Sequence, residues 1–189
     1  MFSLLEPSDQ TVREVIARQR DLPFTYSAVG GTRAGLPEGF TVDHNRIEVG
    51  RGESDFKTAI ITIQNWKHFD LGWVTIVPDG VKLEIGATVA VKARAFGSWS
   101  LNAARVIYLI EEPRKFGYAY GTLPDHVESG EERFFVEWLT DDSVWYDILA
   151  FSRPRHPLVK INLPLARMLQ KRFARDSKRR MLEEVQKNR

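Results

Sequence analysis

Residues 132–152 read ERFFVEWLTDDSVWYDILAFS, two apolar runs that alternate with period two on either side of a TDDS turn. This is the pattern of a β-hairpin. Centring the turn on Asp141-Asp142 pairs Trp138 with Trp145 and Glu137 with Tyr146. In that register one face carries Phe134, Val136, Trp138, Trp145, Leu149 and Phe151 around a lone Asp147. The other carries Phe135, Leu139, Val144, Tyr146 and Ile148 around Glu137. A sheet covered by helices on one side needs only one apolar face. The excess implies a lined cavity, a dimer contact or a covering N-terminal segment.

Working outward, further strands are expected at Phe40 to Val49, Leu71 to Val77, Thr88 to Phe96, Leu101 to Glu111 and Phe116 to Leu123, with VPDG marking another turn. Ser8 can cap a first helix running to about Gln19, with Val12, Val15 and Ile16 on its apolar stripe. PFTYSAVGGTRAGLPEG reads as a long ordered loop. Phe56, Ala59, Ile60, Ile63 and Trp66 share one face of a helix after Ser54. A closing helix begins between Pro157 and Pro164, with Leu165, Met168, Leu169 and Phe173 as its stripe. The order is helix, strand, helix, six strands, helix. It predicts an α+β fold, an antiparallel sheet of about seven strands covered by helices.

A chain of 189 residues with 43% hydrophobic and 11% aromatic content can build one core, and residues 1–189 are expected to form a single domain. Apolar stretches such as Val144 to Phe151, interrupted by Asp147, fall short of the roughly 20 residues of a membrane span. MFSLLEPSDQ lacks a basic n-region, so no secretory signal is read and a cytoplasmic location is expected. With no cysteine, disulfides and thiolate chemistry are excluded. The spacing of His44, His68, His126 and His156 matches no common metal motif, and neither metal nor cofactor is expected. Arg167 to Arg189 hold nine Lys/Arg against three Asp/Glu, so the basic charge is a C-terminal feature. Its apolar stripe weakens after Phe173, which predicts an end projecting past the core as a solvated or oligomer-contacting helix, with a homodimer as one outcome. Nucleic acid is disfavoured, because no exposed aromatics are interleaved with the basic residues.

The candidate site residues cluster in YGTLPDHVESGEERF, residues 120–134. There His126, Glu131, Glu132 and Arg133 can converge at one sheet edge, where imidazole and carboxylate permit proton transfer. The competing reading is bracing of the loop by ion pairs, with Arg153 pairing Glu131 or Glu132. Asp147 and Glu137 are either cavity acids or partners of an arginine such as Arg94, Arg105 or Arg153. Tyr26, Trp73, Tyr120, Trp145 and Tyr146 are the aromatics that suit a pocket wall with polar tips. Gly50-Arg51-Gly52 before a helix invites an anion, but lacks the remainder of either nucleotide motif and reads as a turn needing glycine.

PFTYSAVGGT, WKHFDLGW, YGTLPDHVESGEERFFVE and DSVWYDILAFSRP, followed by a basic terminal helix, together resemble the uncharacterised protein family 0548. The match spans nearly the whole chain and departs at Asp125-His126-Val127, where the family's pattern flanks the histidine with glycine and proline. That family is similar to the helix-grip superfamily of START domains and birch-pollen-type allergens. The resemblance implies a curved antiparallel sheet wrapped around a long C-terminal helix, with a hydrophobic cavity between them. A small hydrophobic or amphipathic ligand is therefore the expected partner, touching Tyr26, Trp73, Tyr120, His126, Glu131, Arg133, Trp145, Tyr146 and Arg153. The alternatives are a cyclase, isomerase or hydrolase using His126 or Asp147 as acid or base, and a protein-interaction module.

Overall fold

The computed structural model describes residues 1–155 and 163–187. In chain order the elements are β1 (Phe2–Ser3), α1 (Asp9–Gln19), α2 (Gly31–Ala34), β2 (Thr41–Arg51), α3 (Gly52–Gln64), a 3-10 turn at Lys67–Phe69, β3 (Val74–Val77), β4 (Thr88–Ala95), β5 (Ser98–Glu112), β6 (Lys115–Thr122), β7 (Glu128–Trp138), β8 (Ser143–Pro154) and α4 (Leu163–Gln186). The strands form one curled antiparallel sheet in the order β2-β8-β7-β6-β5-β4-β3, with β1 paired to β5. Every strand and long helix expected from periodicity is present. The additions, β1 and α2, are too short to show a period, and α2 sits inside the glycine-rich loop behind Gly30 at φ 83°.

The hairpin register differs by one residue from the symmetric expectation. Trp138 pairs with Val144 and Glu137 with Trp145. The cause is a three-residue loop, Thr140 to Asp142. Asp142 donates its N–H to the Leu139 carbonyl at 3.1 Å and turns the chain at φ 73°, while Leu139 donates to the Ser143 carbonyl at 2.8 Å. The Asp141 carboxylate accepts the Ser143 N–H at 3.1 Å and its hydroxyl at 2.6 Å. A one-residue slip exchanges the faces of one strand relative to its neighbour. The concave face thus carries Phe134, Val136 and Trp138 beside Val144, Tyr146 and Ile148, while Glu137 and Asp147 both fall on the convex face with Phe135, Trp145, Leu149 and Phe151.

The main core fills one end of the concave face. Tyr118, Phe134 and Tyr146 meet Phe56 and Ile63 of α3, His68 and Phe69 of the 3-10 turn, and Met181 and Val185 of α4, all buried. His68 Nε2 lies 2.9 Å from Tyr118 Oη, and burial pulls its pKa down to about 3, keeping it neutral. Part of the convex face is covered by the N-terminal segment, while Phe135 and Trp145 lie under Arg133 and Arg46. Val12 and Val15 of α1 pack on Leu101, Ala103 and Leu123, and Tyr26 meets Phe151 edge-on at 5.5 Å. Of the three explanations for a doubly apolar sheet, a covering N-terminal segment accounts for that part of this side.

Local chemistry explains the helix ends. Ser8 Oγ accepts the Thr11 N–H at 3.2 Å, capping α1 as expected. At Gly50-Arg51-Gly52 a Cβ on Gly50 would lie 2.3 Å from Asp55 Oδ2, which accepts the Arg51 N–H at 2.7 Å, and Gly52 has φ 77°. This segment is a glycine-requiring turn whose carboxylate comes from the chain itself.

The expectation that α4 projects past the core after Phe173 is corrected. Ala174, Ser177, Met181 and Val185 are buried, continuing the stripe at helical spacing, and Ser177 Oγ lies 2.9 Å from Tyr146 Oη. Small residues at 174 and 177 disguise the stripe because they contribute little hydrophobicity while allowing close approach. Pro164 sits in the first turn of α4, whereas His156 and the Pro157 end of the expected start lie outside the described residues. No helix among the described residues is long and apolar enough to cross a membrane.

Candidate ligand cavity

Side-chain size falls along the concave face. The cross-strand row Tyr118, Phe134, Ile148 is followed by Tyr120, Glu132, Ala150, and then by Thr122, Gly130 and Ser152. On β4 and β5 the corresponding positions are Ala93 opposite Ser100 and Ala95 opposite Ser98. The first half of α4 spans this stretch with Leu165, Leu169 and Phe173. A cavity of about 520 Å³ remains between sheet and helix.

Trp73, Phe69, Val91, Ile148 and Phe173 give it apolar walls. Trp73 is held by its indole N–H donating to Asp176 Oδ2 at 3.0 Å, with Arg172 over the ring at 4.3 Å. The polar groups gather on β7 and its neighbours. Tyr120 Oη donates to Glu132 Oε2 at 2.8 Å, and burial raises the Glu132 carboxyl to about 7. Gln170 Nε2 donates to Glu128 Oε1 at 2.6 Å, and burial raises that carboxyl too. His126, half-buried, accepts the Glu128 N–H on Nδ1 at 3.0 Å, which places its proton on Nε2. Burial lowers its pKa to about 4.

A polar strap ties α4 to the sheet beside these groups. Arg167 makes a two-pronged bond to Asp43 of β2, 2.5 and 2.7 Å, and donates to Gln170 Oε1 at 2.7 Å; Gln170 then reaches Glu128 of β7.

Of the residues expected to touch a ligand, Trp73, Tyr120 and His126 line the cavity with their side chains. The Glu131 side chain points to the opposite face. It is buried there, accepting Tyr26 Oη–H at 2.9 Å, Gly30 N–H at 2.7 Å, Thr32 N–H at 2.9 Å and the Thr32 hydroxyl. Tyr26 is therefore a clamp on the convex side, and Gly121 leaves room for it, since a Cβ there would lie 2.3 Å from Tyr26 Oη.

Arg133 is also convex, donating to the Thr32 carbonyl at 2.9 Å and to Asp147 Oδ1 at 3.2 Å. Asp147, a candidate acid, is buried on this outer face, where its second oxygen lies 2.6 Å from His44 Nε2. Trp145 stacks under Arg46 at 4.8 Å, and Arg153 lies exposed over Phe40 at 4.7 Å rather than pairing with Glu131 or Glu132. Glu137 pairs with Arg46 and Lys115, both at 3.0 Å. Tyr146 faces inward but is sealed in the filled end of the core. Among the described residues no three His, Asp or Glu side chains gather as a metal site would require.

Glu128, Asp43 and Gln170 are cavity groups without a place among the residues expected to touch a ligand, and Glu132 is expected only as a member of the His126–Glu131–Glu132–Arg133 cluster, as a proton-transfer group or a brace. For Glu132 the signal is period-two alternation, which sends it to the face of Tyr120 and its neighbour Glu131 to the other. Asp43 and Gln170 had no comparable signal, because their partners are distant in sequence.

Residues 25–180 match the family described as a domain of unknown function, DUF1990. A UPF0548 protein of Dictyostelium discoideum is 36% identical over 210 residues, covering 100% of this chain and 97% of its own. The chain belongs to the UPF0548 family. A UPF0548 protein of Deinococcus radiodurans is 35% identical, covering 93% of this chain and 94% of its own. This is the family resembled by the PFTYSAVGGT, WKHFDLGW and AFSRP segments. Among solved structures, a START superfamily protein from Mycobacterium smegmatis superposes with TM-score 0.56 at 14% identity, covering 80% of this chain and 100% of that one. The Zhui aromatase/cyclase from a Streptomyces species gives 0.55 at 10% identity, covering 78% and 94%. The UPF0548 fold seen here is therefore START-like.

Proposed function

We propose that this protein binds a small amphipathic molecule in the cavity between its sheet and α4. The observation that carries the reading is the 520 Å³ space with apolar walls and polar groups gathered on one strand. That volume falls in the range of about 300–1,000 Å³ occupied by small-molecule sites. The apolar body of the ligand lies against Trp73, Phe69 and Phe173, where each buried Å² of apolar surface contributes about 25 cal/mol. Its polar end meets Tyr120, Glu132, His126 and Gln170. The Asp43–Arg167–Gln170–Glu128 strap holds the first turns of α4 over the cavity. Nile red titrated into the purified protein tests the reading: saturable fluorescence enhancement at one dye per chain is expected, and its loss in Ala150→Trp, which fills the cavity. Enhancement that persists unchanged in Ala150→Trp would overturn it.

A second reading, an enzyme of the cyclase, isomerase or hydrolase kind, is favoured by one observation. Burial raises the Glu132 carboxyl to about 7, as suits a general acid or base working at neutral pH, with the Tyr120 hydroxyl donating to it. It predicts that a captured ligand leaves wild type with altered mass or bonding but leaves Glu132→Gln unchanged; recovery of the same unaltered compound from both rules it out.

A further inference from the structure

Resting on that cavity reading, we infer that the ligand carries an amine or other cationic head group, which docks between Glu128 and Glu132. The inference comes from which groups at the polar end of the cavity already have partners. Glu128 and Glu132 stand four residues apart on β7, so both project to the concave face. Both line the cavity, yet among the described residues neither forms an ion pair. Glu132 receives a hydrogen bond from a neutral phenol, and Glu128 receives them from the neutral Gln170 amide and the Ser152 hydroxyl, so no charged donor serves either.

The nearby arginines and Lys178 are otherwise engaged, and Lys171, which also borders the cavity, is exposed and forms no ion pair with either carboxylate among the described residues. Arg167, whose charge Glu128 feels, is held by Asp43; Lys178 donates to Asn45 at 3.3 Å; Arg172 and Arg175 pair with Asp176. Elsewhere in this protein a buried carboxylate is fully provided for, as Glu131 is by four donors and Asp147 by an arginine and a histidine. The two cavity carboxylates break that pattern, and an ammonium with several N–H donors would complete them. An anionic head would instead meet two carboxylates of its own sign.

The same arrangement sets a pH dependence. Glu132 is faced by Tyr120 on β6, Glu128 on its own strand, Asp43 on β2, Arg167 and the exposed Lys171 on α4, and His126 in the β6–β7 loop. Of these, Glu128 and Asp43 push its proton affinity up along with burial, and the Tyr120 hydrogen bond pulls it down. A cationic head binds best when Glu132 is ionised, above about pH 7.

The test compares octylamine, octanol and octanoate by titration calorimetry at pH 8, with equal chains and different heads. Octylamine is expected to bind about tenfold or more tighter than octanol, the effect of a hydrogen bond to a charged group, and octanoate weakest. Glu132→Gln should remove most of that advantage, read as the ratio of octylamine to octanol affinity within the same variant. In wild type the advantage should shrink between pH 8 and pH 6, a readout independent of any variant. Equal binding of amine and alcohol, or preference for octanoate, overturns the inference while the cavity reading stands. Nile red uptake without octylamine binding does the same, whereas failure of all four probes overturns both.

Discussion

Replacing Glu132 by Gln should stabilise the ligand-free protein, by an amount that depends on pH. The substitution keeps the shape and the oxygen that accepts the Tyr120 hydroxyl, and removes only the charge. Burial raises this carboxyl from 4.5 to about 7. The unfolded chain therefore gives up its proton near pH 4.5, while the folded chain holds it to about pH 7. Between those values the folded state binds more protons, so its stability falls as pH rises, then levels off. At about 1.4 kcal/mol per unit of pKa, the loss above pH 7 is about 3 kcal/mol. His126 and His68, lowered to about 4 and about 3, act in the opposite sense, costing stability as pH drops below 6.5. Because both histidines remain in the variant, the difference between the two proteins isolates Glu132. Urea unfolding followed by tryptophan fluorescence at pH 4.5, 6 and 8 should give a gap near zero, then intermediate, then about 3 kcal/mol in favour of Glu132→Gln. A gap that does not change with pH, or that stays below about 1 kcal/mol at pH 8, would refute the claim that this carboxylate is held ionised at a cost.

Three further outcomes are expected. Glu131→Ala leaves four donors of the N-terminal clamp without their acceptor, each worth about 1–3 kcal/mol when buried; urea unfolding should show a loss of at least 3 kcal/mol, while Nile red affinity of the folded fraction changes by less than about twofold. Met181→Ala opens a hole where α4 meets the filled end of the core and should cost about 2–5 kcal/mol, whereas a cost near zero would mean that this part of the helix does not pack. Ala150→Leu adds volume next to Glu132, where the cavity has room, so thermal unfolding should move little while the calorimetric affinity for octanol falls about tenfold or more.

The architecture was legible in sequence because alternation on the long strands and the stripe of α3 are strong periodic signals. The register of the last hairpin was not, since TDDS accommodates a two-residue or a three-residue loop and only the left-handed turn at Asp142 chooses between them. That single residue also decided the site: it puts Asp147 and Trp145 outside and leaves the interior to Tyr146 and Ile148. The YGTLPDHVESGEERF motif looked like one cluster, yet a strand deals its residues alternately to two faces. Glu131 and Arg133 brace the outer clamp, while His126, Glu128 and Glu132 belong to the cavity. The open space itself leaves almost no mark in the sequence, because it is made by Gly130, Ala150, Ser152 and Ala93, residues unremarkable except for what they fail to fill. Pairs such as Asp43 with Arg167 join segments far apart in the chain and become visible only in the fold.

Native mass spectrometry of the purified protein, set beside its denatured mass, tests the cavity reading most directly. The account predicts an added mass of one small organic molecule that disappears on denaturation, that is absent from Ala150→Trp, and whose formula contains basic nitrogen. A bare chain that also fails to take up Nile red or octylamine under the same conditions would contradict it.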